Sequence, residues 1–167
     1  KATEGFAPRE AASQHQSGMN GCFCALMESH VPVCLLSERD AARANWRGAR
    51  VVIVDAAECL DDACVPSLDA FVRDGGGLVV TGRSSLRTGS GNPMENFALA
   101  SILGVTFKGM TEKWYSFINL ERKHELTDGL ALDFPLTVYE TLQARVDAAA
   151  DATVIGTIVN PMPGFHM

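Results

Sequence analysis

One short stretch, residues 71–86, constrains the fold more than any other part of this sequence. It reads FVRDGGGLVVTGRSSL and joins a helix end, three glycines, a short apolar strand and a polar turn without a gap. We expect at least one residue of Gly75–Gly77 to adopt the left-handed conformation that ends many helices. The stretch therefore predicts an α–β unit, and the carboxyl end of such a strand is where open α/β sheets place functional groups.

The segment before this unit predicts a second strand and the helix that connects the two. Residues 51–54 read VVIV, a β-branched run that is typical of a central parallel strand covered by helices on both faces. An apolar stripe at helical spacing follows, and we expect Asp61 and Asp62 to cap this helix, with Pro66 in its first turn. The stripe consists of Val65, Leu68, Phe71 and Val72.

Toward the start of the chain the pattern predicts one helix, one strand and a short helix. Residues 1–17 show no period, and we interpret them as a lead-in loop. Apolar residues from Met19 to Met27 recur at helical spacing, and residues 31–36, VPVCLL, have the composition of a strand. A short helix that contains Ala41, Ala42 and Trp46 is expected within residues 37–48.

The last third of the chain is rich in predicted strands. An exposed loop over residues 83–93 and a helix over residues 97–103 precede it. Five apolar runs then follow with short turns between them: Val105–Phe107, Trp114–Leu120, Leu136–Tyr139, Leu142–Val146 and Thr153–Val159. Alternating strands and helices followed by strands alone predict an α/β fold, a doubly wound and mainly parallel sheet with helices on both faces and a β-rich C-terminal extension.

Length and charge limit the classes of protein. We expect residues 18–167 to form a single domain, and because the chain starts at Lys1 without a methionine we expect it to be part of a longer protein. A net charge of −6 without a basic cluster argues against a nucleic-acid partner. No apolar run approaches the roughly 20 residues of a membrane helix, so we expect no membrane partner.

The five cysteines indicate a reducing environment. Their number is odd and they lie in apolar stretches, which favours buried thiols of a cytoplasmic protein over disulfides. Cys22 and Cys24 lack a second ligand pair at a usable spacing, so no metal site is predicted. Gly75–Gly77 precede a strand and not a helix, so they form no phosphate cradle, and no cofactor is expected.

An ordered series of sequence blocks resembles a known family. The blocks are residues 49–86, residues 91–109 (GNPMENFALASILGVTFKG), residues 21–32 and KHELTDGL at residues 123–130. They are similar to the class I glutamine-amidotransferase-like domain called the β-galactosidase trimerisation domain, which occurs in β-galactosidases and related glycoside hydrolases. The resemblance covers about residues 18–130. The family's opening strand and final strand have no counterpart in this sequence, so the resemblance implies a domain trimmed at both ends from a longer protein.

This resemblance implies a flavodoxin-like fold and an accessory role. Domains of this family are non-catalytic, pack beside a catalytic barrel of the same chain and contribute to subunit association. The resemblance therefore implies a homo-oligomer, a contact with a catalytic barrel, or both. It implies no cofactor and no catalytic residue in this domain.

Ser84 is the first of two weak candidates for a nucleophile. Active amidotransferases of this class carry Gly-x-Cys-x-Gly at the turn that reads Gly82–Leu86 here, so Ser84 occupies the nucleophile position and Leu86 replaces the second glycine. Such a serine needs a base within hydrogen-bond reach. The active enzymes place a histidine and a glutamate late in the chain, but His124 and Glu125 are adjacent here and not spaced as His-x-Glu.

Cys59 is the second candidate, because it also follows a predicted central strand. Its neighbours Glu58, Asp61 and Asp62 are acidic, and nearby carboxylates raise the pKa of a thiol and disfavour the nucleophilic thiolate. We interpret Cys59 as a packed residue. Two alternatives to the accessory domain remain: a small hydrolase or amidotransferase that uses Ser84, and a sugar-binding module in which Trp114 or Tyr115 stacks on a ligand.

Overall fold

The computed structural model describes residues 9–112, 116–138 and 142–159. The chain divides into two compact units, the first ending at Leu103 and the second beginning at Gly104. In the described part of the first unit the elements follow in the order α1 (Arg9–Glu28), α2 (Glu38–Ala42), β1 (Val51–Asp55), β2 (Cys59–Leu60), α3 (Cys64–Arg73), β3 (Gly77–Thr81), β4 (Arg87–Thr88) and α4 (Ala100–Leu103).

A parallel strand pair forms the centre of the first unit. Strands β1 and β3 pair in parallel from Val51 opposite Gly77 to Asp55 opposite Thr81, and β2 pairs in parallel with β4. Helix α3 connects β1 to β3, so the predicted β–α–β arrangement is present. The doubly wound sheet with helices on both faces stays a prediction.

The core of the first unit lies on one face of this pair. Leu60, Cys64, Leu68 and Leu99 form the buried cluster. Alternate strand residues pack against it, namely Val52, Val54, Leu78 and Val80. The opposite face carries Val51, Ile53 and Val79, which are 54%, 36% and 46% exposed. The strands are apolar on both faces as expected, but the side chains on the core face are partly buried whereas those on the opposite face are exposed.

The glycine turn after α3 has the predicted geometry. Gly75 has a φ of +93°, Gly75 N–H donates to Val72 and Gly76 N–H donates to Phe71, each to the backbone carbonyl at 2.9–3.0 Å. These two bonds are those of a Schellman cap, in which a left-handed residue ends the helix. The prediction that a glycine ends this helix is therefore confirmed.

Three features near the start of the chain differ from the predictions. Helix α1 begins at Arg9, so residues 9–17 are helical where we predicted a loop; this stretch contains no glycine or proline, and its polar residues gave no apolar period. Residues 31–36 form no strand and pair with no described strand, where we predicted one, and Pro32 has no N–H to donate. Helix α2 ends at Ala42, before Trp46.

The start of α3 also differs from the prediction. Ala63 is the N-cap residue, and no side chain caps the helix. Asp61 instead accepts a hydrogen bond from Ala63 N–H at 2.9 Å, in the turn before the helix. Pro66 lies in the first turn as expected, and Leu68 and Phe71 of the predicted stripe are buried.

The second unit is antiparallel throughout its described strands. Strand β5 (Val105–Glu112) pairs with β8 (Leu142–Ala148), and β6 (Ser116–Leu120) lies between β7 (Leu136–Val138) and β9 (Gly156–Val159). These strands fall on the five runs predicted from the sequence. Trp114, Tyr115 and Tyr139 lie outside the described residues. No helix in the described part of the chain is both long and apolar enough to span a membrane.

Candidate functional site at the ends of the parallel strands

The carboxyl ends of β1 and β3 bring a group of polar side chains together. Asp55 and Thr81 are opposite each other in the parallel register, and Ser84 follows Thr81 in the next turn. Parallel strands end at the same edge of a sheet, which is where α/β proteins place ligands. A binding or catalytic site is therefore expected first at this edge.

Ser84 is held by the backbone. Its Oγ accepts a hydrogen bond from Ala57 N–H at 3.1 Å and lies 3.0 Å from the carbonyl oxygen of Val54 and 2.8 Å from that of Thr81. Its exposed fraction is 0%. The hydroxyl therefore ties the turn to both strands, and no described side chain contacts it as a base.

The turn around Ser84 is buried rather than exposed. Ser85, with a φ of +64°, is also fully buried, and its Oγ accepts a hydrogen bond from Leu99 N–H at 3.3 Å. Leu86 is 8% exposed. The prediction of an exposed loop over residues 83–93 is wrong for these three residues, because serines that bond to the backbone can be buried as readily as apolar residues.

Asp55 is the residue at this edge that the sequence reasoning missed. Its Oδ1 accepts a short hydrogen bond from the Thr81 hydroxyl, while its Oδ2 is buried and has no hydrogen-bond partner among the described residues. The carboxylate packs against Gly18 of α1: a Cβ placed on Gly18 would lie 1.9 Å from Oδ2. Its position directly after the predicted strand at residues 51–54 was the sequence signal that could have identified it.

His15 of α1 also reaches this edge. Its Nδ1 lies 2.6 Å from the backbone carbonyl oxygen of Asp55. Because a carbonyl oxygen can only accept, Nδ1 must carry the proton of this bond. This hydrogen bond holds α1 at the end of β1. His15 therefore bonds to Asp55 and not to Ser84, and Ser84 has no histidine partner among the described residues.

A second polar cluster surrounds Glu58, just beyond β1. The side chain of Glu58 is 7% exposed, and its Oε1 lies 2.9 Å from Arg87 Nε and 3.8 Å from Arg83 Nη1. Arg87 also donates from Nη1 to the carbonyl oxygen of Gly91 at 3.0 Å. Glu58 Oε2 is buried without a hydrogen-bond partner among the described residues. A carboxylate that is buried in low-dielectric surroundings needs a positive charge nearby, because its own charge has lost the stabilisation by water. The two guanidinium groups supply that charge here.

The environment of Cys59 disfavours a nucleophilic role. The residue is 1% exposed, and burial, followed by the charge of Glu58, raises the pKa of its thiol. Burial also raises the pKa of Cys64 to about 11, with Glu38 and Asp61 adding to the effect. Because the thiolate is the reactive form, both thiols are poor nucleophiles at neutral pH.

His124 is the remaining candidate within the described residues. His124 caps a short 3₁₀ turn, Glu125–Thr127, with Nδ1 accepting from Leu126 N–H at 3.1 Å. Trp114 and Tyr115 lie outside the described residues. Within the described ranges, no group of three or more histidine, cysteine, aspartate or glutamate side chains could hold a metal ion.

Comparison with solved structures identifies the fold. Gan42B, a GH42 β-galactosidase, superposes on 93% of this chain with a TM-score of 0.69 and 15% identity. A catalytic mutant of Gan42B from G. stearothermophilus matches 65% of the chain, with a TM-score of 0.53 and 15% identity. Alpha-L-fucosidase isoenzyme 2 from Paenibacillus thiaminolyticus matches 68%, with a TM-score of 0.50 and 22% identity.

The matched part is a small segment of each of these proteins. This chain spans 21% of the length of the Gan42B chain, 15% of that of its mutant and 16% of that of the fucosidase. No protein-family model matches the chain, and no curated protein sequence does. At these identities the likeness is one of fold, and the chain has the fold of a segment found in larger glycoside hydrolases.

Proposed function

We propose that this chain is a non-catalytic accessory domain of a larger glycoside hydrolase, of the flavodoxin-like, glutamine-amidotransferase-like type. The observation that carries the proposal is the superposition of 93% of the chain on about a fifth of a β-galactosidase. A segment of that size within a long hydrolase chain is a domain and not the whole enzyme.

The environments of Ser84 and Cys59 support a non-catalytic role for this domain. The Ser84 hydroxyl is shared among three backbone groups, and Cys59 is buried with a raised pKa. A serine nucleophile needs a base within about 3.2 Å and donors aimed at a developing oxyanion. Here the polar turn stabilises the strand ends instead.

Exposed apolar side chains support a role in association. In the first unit Val51, Ile53 and Val79 form an apolar sheet face, and in the second unit Leu126 and Phe134 are 76% and 75% exposed. Exposed apolar patches mark surfaces that meet other protein surfaces. We propose that the occupants are other copies of the chain, a catalytic barrel of the same polypeptide, or both.

An activity assay tests the first part of this proposal. The purified chain and its Ser84→Ala and Cys59→Ala variants are incubated with chromogenic galactosides, fucosides, esters and glutamine. We expect no turnover by any of the three proteins. Turnover that Ser84→Ala or Cys59→Ala abolishes would show instead a small hydrolase or amidotransferase that acts through that residue.

Sedimentation velocity tests the association part. The proposal predicts a sedimentation coefficient that rises with protein concentration, and a smaller rise after Val51→Lys and Val79→Lys. A coefficient that stays at the monomer value at all concentrations would overturn the homo-oligomer. Mixing the chain with a separately expressed catalytic barrel would then test the remaining partner.

A further inference from the structure

Three residue pairs in the described chain allow a side chain to cyclise onto its own backbone. They are Asn20 with Gly21 in α1, Asp74 with Gly75 after α3, and Asp128 with Gly129 after the 3₁₀ turn. In this reaction the backbone nitrogen of the glycine attacks Cγ of the residue before it. Glycine permits the attack because it has no side chain to shield the nitrogen or to restrict the backbone. The three pairs share this chemistry, so their surroundings in the fold decide which of them reacts.

The pair of Asp74 and Gly75 is held in the cap of α3. Gly75 N–H donates to the Val72 carbonyl at 3.0 Å, and Gly76 N–H donates to the Phe71 carbonyl at 2.9 Å. The ψ angle of Asp74 is 5°. Rotation about ψ is needed to bring the Gly75 nitrogen to Cγ, and it breaks both bonds of the cap. The cap therefore protects Asp74.

The pair of Asn20 and Gly21 is held inside a helix. Both residues lie in the interior of α1, where each N–H donates to the carbonyl four residues earlier. Asn20 Oδ1 also accepts a hydrogen bond from Gln16 Nε2 at 3.3 Å. The attack on Cγ thus requires local unfolding of α1.

The pair of Asp128 and Gly129 lacks these restraints. Gly129 N–H donates to Asp128 Oδ1 at 3.1 Å, and it donates to no backbone carbonyl of a described residue. Because Oδ1 is bonded to Cγ, the nitrogen already contacts the carboxyl group that it has to attack. Both residues are exposed, and a Cβ on Gly129 would meet no atom within 4 Å. The backbone here has both the contact and the space that the reaction needs.

We infer that Asp128 is a site of spontaneous aspartate isomerisation, and that the fold directs this modification to Asp128 rather than to Asp74. A bond forms between the Gly129 nitrogen and Cγ of Asp128. The carboxyl hydroxyl leaves as water together with the proton of Gly129 N–H, and a succinimide ring remains. Water is the only co-reactant of the second step, in which the ring opens at either carbonyl. Opening at Cγ restores aspartate, whereas opening at the former backbone carbonyl gives isoaspartate.

The product changes the turn that contains it. In isoaspartate the chain runs through Cγ, so the backbone between Thr127 and Leu130 is longer by one methylene group. Leu130 N–H donates to the Thr127 carbonyl at 3.1 Å, and this bond spans the longer segment. The former backbone carbonyl becomes a free carboxylate. That carboxylate is the group on which S-adenosylmethionine-dependent isoaspartyl methyltransferases act, so an enzyme of this class serves as a probe of the product.

Peptide mapping of aged protein tests this inference. The folded 167-residue chain is incubated at body temperature and neutral pH and is then digested with trypsin. Asp74 and Asp128 fall into separate peptides, residues 74–83 and 124–145. Isoaspartate changes the retention time but not the mass, electron-transfer fragmentation locates it, and methyltransferase labelling counts it. We expect it to form at Asp128 at least about fivefold faster than at Asp74, the factor that corresponds to one net backbone hydrogen bond.

Two controls separate the effect of the fold from that of the sequence. In concentrated urea the cap of α3 is lost, so the rates at Asp74 and Asp128 should become similar. Asp128→Glu keeps the charge but would have to close a six-membered ring, and it should abolish the product in peptide 124–145. The matched variant Asp74→Glu should leave that product unchanged.

Three outcomes would overturn the inference. The first is isoaspartate that forms at Asp74 in the folded chain as fast as at Asp128, or faster. The second is isoaspartate at Asp128 only in urea, which would mean that the folded turn prevents the attack. The third is a product in peptide 124–145 that persists in Asp128→Glu, which would place the modification at Asp133.

Discussion

Arg87 Nε lies 2.9 Å from Glu58 Oε1, and the backbone N–H of Arg87 donates to the Glu58 carbonyl oxygen at the same distance. The two residues are thus joined through both side chain and backbone, beside the parallel pairing of Cys59 with Arg87. These two contacts hold strand β4 against the segment that follows β1. The Glu58 carboxylate is almost fully buried there.

Replacing Arg87 should therefore destabilise the first unit strongly. Arg87→Ala leaves the buried Glu58 carboxylate with Arg83 alone, at 3.8 Å, and we expect a loss of about 3 kcal/mol in the free energy of unfolding. Urea denaturation measures it. The control is Arg73→Ala, which removes an exposed pair with Asp69 and should cost about 0.3–0.5 kcal/mol. Similar losses for the two variants would contradict a buried pair.

Ser84→Ala should lower stability without any catalytic consequence. The variant leaves Ala57 N–H without its acceptor and removes the donor to Val54 and Thr81, at a cost of about 1–3 kcal/mol. The exposed Ser90 offers a matched control, for which Ser90→Ala should change the unfolding free energy by less than about 0.5 kcal/mol. An unchanged unfolding midpoint in Ser84→Ala would argue against the bonding described here.

Sequence reasoning located the elements that depend on local pattern. The strand at residues 51–54, the glycine turn after Phe71 and the five strands of the last third all follow from short-range periodicity or from a backbone requirement of glycine. Helix starts were less predictable. Asp61 caps the turn before α3 rather than the helix itself, and α1 begins at Arg9, well before Met19, where the predicted apolar stripe starts.

The polar clusters could not be predicted because they depend on contacts between distant residues. Glu58 and Arg87 are 29 positions apart, and His15 and Asp55 are 40 apart. Each residue taken alone resembles an ordinary surface charge. Only the parallel pairing of β2 with β4 and the position of α1 at the end of β1 bring these residues together. The burial of Ser84 was missed for the same reason, since its hydrogen-bond acceptors lie on two different strands.

The stability of the chain should fall at alkaline pH because of Cys64. Burial raises the pKa of this thiol from about 9 to about 11 in the folded state. The unfolded chain therefore loses this proton first as the pH rises. The contribution of Cys64 to stability is complete below pH 9 and is lost between about pH 9 and pH 11. Urea midpoints across this range should fall less steeply in Cys64→Ala than in the parent chain, and parallel slopes would contradict the prediction.

Two glycines of α1 should respond to alanine with opposite signs. A Cβ on Gly18 would lie 1.9 Å from Asp55 Oδ2, and that carboxylate is held by the Thr81 hydroxyl. A Cβ on Gly21 would meet no atom within 4 Å. Alanine favours the helix over glycine by about 0.5–1 kcal/mol at either position, whereas overpacking costs about 1–3 kcal/mol.

Gly21→Ala should therefore stabilise the chain by up to about 1 kcal/mol, while Gly18→Ala should destabilise it by about 1–2 kcal/mol or displace α1 from the end of β1. Chemical denaturation gives both values. The double variant Gly18→Ala/Asp55→Ala removes the clash and should be more stable than the sum of its single variants predicts, because the two positions are in contact. Additive effects would mean that Gly18 does not pack on the Asp55 carboxylate, and a stabilising Gly18→Ala would mean that α1 does not lie against β1 at all.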